Sequence, residues 1–307
     1  MRRQRGLAAV TAILIVAVAA SAATLMLAQQ SAMLDQTMLI ASRAQADQYA
    51  RAGLDWARGV LLEDAATSGA YDSLDEGWAQ PIAALPVERA IVSGSIVDEQ
   101  GKFNLNNLVA GGAPSKPDVD AFKALLASQG LAPELADAVI DWIDPNDDLV
   151  SVAGAESGYY LALKRPYRAA NLPLMQVDEL YRVRGFDATA VRKLRPYVTA
   201  LRERTPVNVN TASEVVLAAI LPAMPREELA TLVKARATKP VKSREAIGAW
   251  SKNIPQSALA QLDVKSAWFM VRIRVTQDDA ELGTEALVYR PAADKGAPAI
   301  IWRRPRY

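Results

Sequence analysis

No glycine or proline occurs between Leu7 and Gly53, and the first part of that stretch, Leu7 to Ala28, carries no charge. Those 22 residues exceed the roughly 20 that a helix needs to cross the hydrocarbon core of a bilayer. Without a breaker the helix runs on past the apolar part, so the predicted rod is about 70 Å long at about 1.5 Å per residue. Beyond Gln29 the pattern turns amphipathic. Leu34, Met38, Ala41, Tyr49, Ala52, Trp56 and Val60 fall on one stripe at steps of three and four, interrupted by Gln45, while Asp35, Arg43, Asp47, Arg51 and Asp55 lie elsewhere. One half of the rod suits lipid and the other a protein surface.

Arg2, Arg3 and Arg5 precede the apolar run, which places the N-terminus in the cytoplasm and the body of the chain across the membrane. Two readings of this start compete. A secretory signal peptide would be cut at Ala20-Ser21-Ala22, whereas a retained anchor continues as helix into the body.

The remaining composition narrows the chemistry. The chain of 307 residues has neither Cys nor His, which excludes disulfides, thiol nucleophiles, His-dependent triads and the usual zinc sites, and leaves only oxygen-liganded hard cations. No carboxylate spacing selects a glycosidase-like or other catalytic site, so no enzyme is predicted. A formal net charge of +1 gives no electrostatic footprint for polyanions.

Strand signals stand at both ends of the body. "ERAIVSGSIV" from Glu88 reads as a strand, and a turn at Asp98 to Gly101 predicts a hairpin back through "KFNLNNL". Near the C-terminus "AWFMVRIRVT", "TEALVYR" and "AIIWRR" read as three strands, with Arg272 and Arg274 on one face and Val271, Ile273 and Val275 on the other. Between them, from Pro117 to about Leu262, short helices are separated by Gly or Pro, the last of them "SREAIGAWSK". The predicted fold class is α+β: a long transmembrane and amphipathic helix packed on a small antiparallel sheet that a large helical insertion interrupts. The six tryptophans, Trp56, Trp78, Trp142, Trp250, Trp268 and Trp302, are read as core or interface anchors.

Two polar strings invite chemistry. "NVNTAS" resembles the start of helix-hairpin-helix DNA-binding modules, but the hairpin that follows it, "LPAMPRE", lacks both glycines whose backbone amides would grip phosphate. The structural alternative has Asn208 and Asn210 bonding turn backbone and Thr211 or Ser213 capping the next helix. The second string, "DWIDPNDDLVSVAGAESGYY", crowds Asp141, Asp144, Asn146, Asp147, Asp148 and Glu156 at a helix end. Carboxylates so close repel unless a cation joins them, and the set suits calcium. It is not an EF-hand, because counting from Asp144 puts Leu149 at the glycine position and Glu156 one residue late. A solvated turn, capped by Asp144 and Asp148 with Arg165 or Arg168 as counter-charge, is the competing reading.

A short basic leader ending in Gly6, followed by an apolar helix that turns amphipathic, resembles the class III signal of type IV pilins and type II secretion pseudopilins. The resemblance implies cleavage between Gly6 and Leu7 by a prepilin peptidase, with methylation of the new amine. Removal of Arg2, Arg3 and Arg5 would leave 32 Lys+Arg against 34 Asp+Glu, a mildly acidic mature chain. Pseudopilins usually carry Glu at the fifth mature position, and this chain has Thr11. That departure, together with "GKFNLNNL", "DWIDPND", "GAESGYY", "RPYRAANLPL", "VDELYRVRGF", "LRPYVTAL" and "VNVNTAS", resembles the protein K family of minor pseudopilins over essentially the whole chain.

The resemblance implies a leader at 1–6, a transmembrane helix at 7–28, pseudopilin helix and first strands at 29–110, a helix-hairpin-helix-like insertion at 111–262 and closing strands at 263–307. It implies a single-pass inner-membrane protein with a periplasmic body that caps the pseudopilus tip. Thr11 needs no charge partner because no subunit sits ahead of it, while Leu34, Met38 and Tyr49 continue the helix-to-helix contact outside the membrane. The implied partners are minor pseudopilins I and J, with H or the major pseudopilin G below and possible contact with secreted cargo. For the acidic cluster the implied cofactor is calcium. The alternative function is a membrane-tethered DNA receptor.

Overall fold

The computed structural model describes residues 4–250, 254–278 and 280–306. Helix α1 spans Gln4–Thr67, 64 residues or about 96 Å, and passes through Gly53 and Gly59 without a break. Its best apolar window has a mean hydropathy of 2.4, and none of that window is buried in the protein. A core helix of a soluble domain hides such residues, whereas here Leu7, Ile13, Leu14 and Leu27 are each more than 60% exposed.

The sheet is a five-stranded antiparallel meander, β1 (Ile82–Val87), β2 (Ala90–Asp98), β3 (Trp268–Gln277), β4 (Ala280–Tyr289) and β5 (Ala299–Pro305), in sequential order. All three C-terminal strands form as the alternation predicts. The hairpin at Asp98 to Gly101 does not. Strand β2 instead pairs with the preceding β1 through a turn in which Glu88 adopts φ 50°, and with β3 on its other side. Phe103 and Asn104 leave the sheet and pair in parallel with Val198 and Thr199. The β-branched run fixed the strand but not its partner, because pairing is a long-range property that local pattern does not encode.

The buried face of α1 is Ala46, Ala50, Leu54, Ala57 and Leu61, which pack on Phe269, Val271, Ile273 and Val275. This stripe neighbours the predicted one rather than coinciding with it. Tyr49 and Val60 are half-buried, but Leu34, Met38 and Trp56 are 59, 65 and 54% exposed. Three of the five buried positions are alanine, because helix and sheet approach closely there. A Cβ on Gly53 would lie 3.2 Å from Ile273 Cδ1, and one on Gly94 would lie 3.0 Å from the same atom.

The insertion enters at Asp98 and leaves at Trp268, whose neighbour Phe269 is the register partner of Asp98. Adjacent exit and entry let a large insertion leave the meander intact. Its core already contains Phe103, Leu105 and Leu108, so the packing boundary falls ahead of residue 111. The helices include α2 (Lys116–Ser128), α3 (Leu135–Ile143), α4 (Ser157–Leu161), α5 (Ala188–Leu194), α6 (Glu214–Ile220) and α7 (Arg226–Arg236). The helix predicted in "SREAIGAWSK" forms over Arg244–Gly248; Ser251 and Lys252 lie outside the described residues.

"NLNNL" staples the insertion shut. Asn104 donates to the carbonyls of Leu201 and Glu203, Asn106 to those of Leu174 and Leu201, and Asn107 to that of Thr205. All three amides are buried, and each amide oxygen accepts a backbone N–H in return, so their burial is compensated.

Candidate functional site

Helix α3 presents Asp137 and Asp141 one turn apart on one face. The helix ends at Asp144, whose backbone is extended because Pro145 follows it. The loop then folds back: Asp141 Oδ1 accepts the Val150 N–H at 3.0 Å, Asp144 Oδ1 accepts that of Asn146 at 3.3 Å, and Asn146 Oδ1 accepts that of Asp148 at 2.7 Å. The returning chain reaches Glu156, the residue before α4. Its side chain makes no capping bond to that helix.

Asp141, Asp144 and Glu156 thereby converge, each with an oxygen within 4.8 Å of the others and all three side chains buried. Three of their oxygens, Asp141 Oδ2 and both of Glu156, have no hydrogen-bond partner. Burial, followed by the neighbouring carboxylates Asp141, Asp144 and Asp147, pushes the Glu156 carboxyl up to about 8. Burial also raises Asp141 and Asp144 against the N–H groups they accept. Among the described residues no Lys or Arg forms a salt bridge with any of the three. Three buried carboxylates that converge without a counter-charge are a donor set that suits an oxygen-seeking cation.

The other predicted ligands point elsewhere. Asn146, Asp147 and Asp148 are exposed, and Asp147 Oδ1 accepts from Asn171 at 3.3 Å. Arg165 and Arg168 supply no ion pair to the cluster. The cation that does reach the loop is Arg184, which sequence reasoning missed: its Nη1 donates to the Gly154 carbonyl at 2.8 Å, and its guanidinium lies 4.8 Å from the Tyr159 ring centroid. Asp137, also missed, is neutralised by Lys123 at 2.8 Å.

A second acidic group, Asp64, Asp72 and Glu76, already holds its cation: Arg290 pairs with both Asp64 and Asp72 and stacks 4.6 Å from the Phe269 centroid. The "NVNTAS" string is likewise used internally. Asn208 donates to the Asp72 carbonyl, Asp98 and Ser266; Asn210 exchanges two bonds with Val241; Ser213 caps α6; and Arg236 binds the Val209 and Ala212 carbonyls.

Along α1, Gly6 and Leu7 lie in its first turns, with Leu7 72% exposed. Thr11 Oγ1 donates to the Leu7 and Ala8 carbonyls, both at 3.0 Å, so the hydroxyl is satisfied within its own helix. Leu34 and Met38 are free at the surface, while Tyr49 donates to Glu88 at 2.8 Å.

Residues 101–203 and 207–272 match the two family models described as type II secretion system (T2SS), protein K. The type II secretion system protein K of Aeromonas hydrophila is 31% identical over 96% of this chain and 95% of its own length. The chain belongs to the type II secretion system protein K family. The family member from Pectobacterium carotovorum is 30% identical over 94% of this chain and 93% of its own, and that from Pseudomonas aeruginosa 37% identical over 72% and 69%. A chain in the crystal structure of the GspK-GspI-GspJ complex from enterotoxigenic Escherichia coli superposes with a TM-score of 0.78 over 89% of this chain and 99% of that one, at 24% identity. That likeness confirms the fold: a long helix on a small antiparallel sheet with a helical insertion. The family is a structural pseudopilin component of the secretion machinery, and α1, the one helix among the described residues long and apolar enough to cross a membrane, fits a one-pass membrane anchor.

Proposed function

We propose that this minor pseudopilin caps the tip of the pseudopilus. In this reading it stands in the inner membrane with its body in the periplasm until assembly draws it out, and joins minor pseudopilins I and J, with H or the major pseudopilin G beneath. The observation that carries the reading is the exposed apolar length of α1, which none of the described residues covers. Leu7 to Ala28 exchange lipid for neighbouring helices, and Leu34 and Met38 extend that contact. The insertion gives the sheet end a bulky head, which suits a terminal subunit rather than a repeating one. No catalytic role enters this reading.

The match to a chain of the GspK-GspI-GspJ complex supports I and J as partners. Processing after Gly6 is tested by Gly6→Val, which should leave the leader attached and abolish secretion; a first residue of Ala23 in the wild-type chain would instead establish an ordinary signal peptide. Co-purification of the full-length chain with I and J from detergent tests the assembly, and independent migration would overturn it. Contact with cargo is tested by cross-linking in the secreting cell.

Calcium held by Asp141, Asp144 and Glu156 is the second part of the proposal. Its support is the set of orphaned buried oxygens in a chain without Cys or His. Bound there, the ion would neutralise three carboxylates and fix the loop between α3 and α4. A rise in melting temperature in about 1 mM calcium over EDTA is expected, and no rise would remove the claim.

A further inference from the structure

The loop between α3 and α4 contains two features that the carboxylates themselves do not explain. The first is Gly154. A Cβ built on this residue would overlap Oδ2 of Asp141, would lie 2.9 Å from its Cγ and would stand 3.2 Å from the Ser151 carbonyl oxygen. No side chain fits there without driving the Asp141 carboxylate away. The oxygen that occupies this space is the one on Asp141 that has no hydrogen-bond partner.

The second is Arg184. Its guanidinium ignores the nearby carboxylates and donates to the Gly154 carbonyl at 2.8 Å, while the Arg184 backbone N–H donates to the Tyr160 hydroxyl at 3.2 Å. The Tyr159 ring supports the guanidinium from below. From the other side the loop is tied by the Gly154 N–H to the Ser151 carbonyl at 3.0 Å, and by the Ser151 hydroxyl to Asp137 at 2.8 Å. The backbone at Gly154 is thus held in place from both directions, and its missing side chain leaves room for a single oxygen atom.

We propose that Gly154, clamped through its carbonyl by Arg184, is the positioning residue of the cation cradle: it admits Asp141 Oδ2 to the point where Asp144 and Glu156 converge. The inference rests on the cation reading above and assigns it two residues that are not ligands. Arg184 acts by fixing backbone, so it leaves the charge of the cradle free for the ion.

The test uses the full-length chain in detergent, with terbium luminescence sensitised by the adjacent aromatic residues and competed by calcium. Gly154→Ala should weaken calcium binding by about tenfold or more, the range seen when groups that orient metal ligands are removed. Arg184→Gln should weaken it as well, and Arg184→Lys, which keeps a donor for the carbonyl, should recover part of the loss. Melting in EDTA reports whether each variant folds; if Gly154→Ala does not, Arg184→Gln decides. Affinity within about twofold of wild type in a folded Gly154→Ala or Arg184→Gln protein overturns the proposal while the cation reading stands. A wild-type chain that binds neither terbium nor calcium removes both.

Discussion

The side chain of Asn208 donates to Oδ2 of Asp98 at 3.1 Å, joining residues 110 positions apart where the insertion meets the sheet. Asp98 is the last residue of β2, and the same carboxylate accepts from Gln100, Thr211 and Ser266. One buried group therefore receives donors from the first turn of the insertion, from its "NVNTAS" turn and from its exit. Asp98→Ala removes the acceptor of Gln100, Thr211 and Ser266 in a site closed to water, while Asn208 keeps the Asp72 carbonyl and Ser266. A loss of about 3 kcal/mol or more in unfolding free energy is expected, measured by urea denaturation of the detergent-solubilised chain.

Glu156 makes calcium binding and stability depend on pH in a defined direction. Its carboxyl is raised from 4.5 to about 8 in the folded chain, facing Asp141, Asp144 and Asp147, with Arg184 turned toward loop carbonyls. A raised group stabilises fully below its unfolded value, and that contribution is lost as pH rises through the folded one. In EDTA the melting temperature should fall between about pH 4.5 and 8, and calcium should flatten the fall because the ion replaces the proton. A scan of melting temperature against pH with and without calcium checks both.

Asp72 gives a second window. Burial, opposed by Arg290, raises its carboxyl to about 6, so the folded chain prefers the protonated form between about pH 4 and 6. Asp64 and Asp98 also face this site, and Arg290 supplies its positive charge. Asp72→Asn mimics the protonated group. The melting temperature of the variant, relative to wild type, should therefore shift in favour of the variant as pH rises through that window, read by paired thermal melts.

Thr11 is self-sufficient within α1. Thr11→Val removes a hydroxyl that bonds only to its own helix and keeps the β-branched shape, so membrane insertion and secretion should be unchanged. Thr11→Glu places a carboxyl that needs an external partner in an apolar segment and should reduce incorporation, scored by secretion in a strain lacking the native gene.

Gly53 tests how α1 seats on the sheet. Its missing side chain faces Ile273, and Gly53→Ala asks Ile273 Cδ1 to give way at 3.2 Å. Ile273 lines an open groove into which that methyl can move, and alanine gains about 0.5–1 kcal/mol over glycine in a helix, so the variant should melt within a few degrees of wild type and gain stability when Ile273→Val removes the contact, read by paired thermal melts.

Much of this architecture was legible in one dimension. The charge-free, breaker-free run specified a helix exposed along its apolar length, because backbone bonding and hydropathy are local properties. Alternation around Val271 to Val275 specified a two-faced strand for the same reason. The stripe on α1 was misplaced by one face. The choice between Trp56 and Ala57 depended on how closely the sheet approaches, and Gly53 and Gly94 set that distance.

The sequence by itself determined that the chain begins as a membrane-length helix, ends as a sheet and crowds carboxylates in between. Only the tertiary structure decided that β2 pairs with β1 and β3, and that Asp141, Asp144 and Glu156 share one buried point while Asn146, Asp147 and Asp148 face water. It also brought Arg184 to Gly154 across 30 residues. Composition places acids near one another along the chain, but whether they lose their water depends on what packs over them, and that is settled by contacts between distant segments.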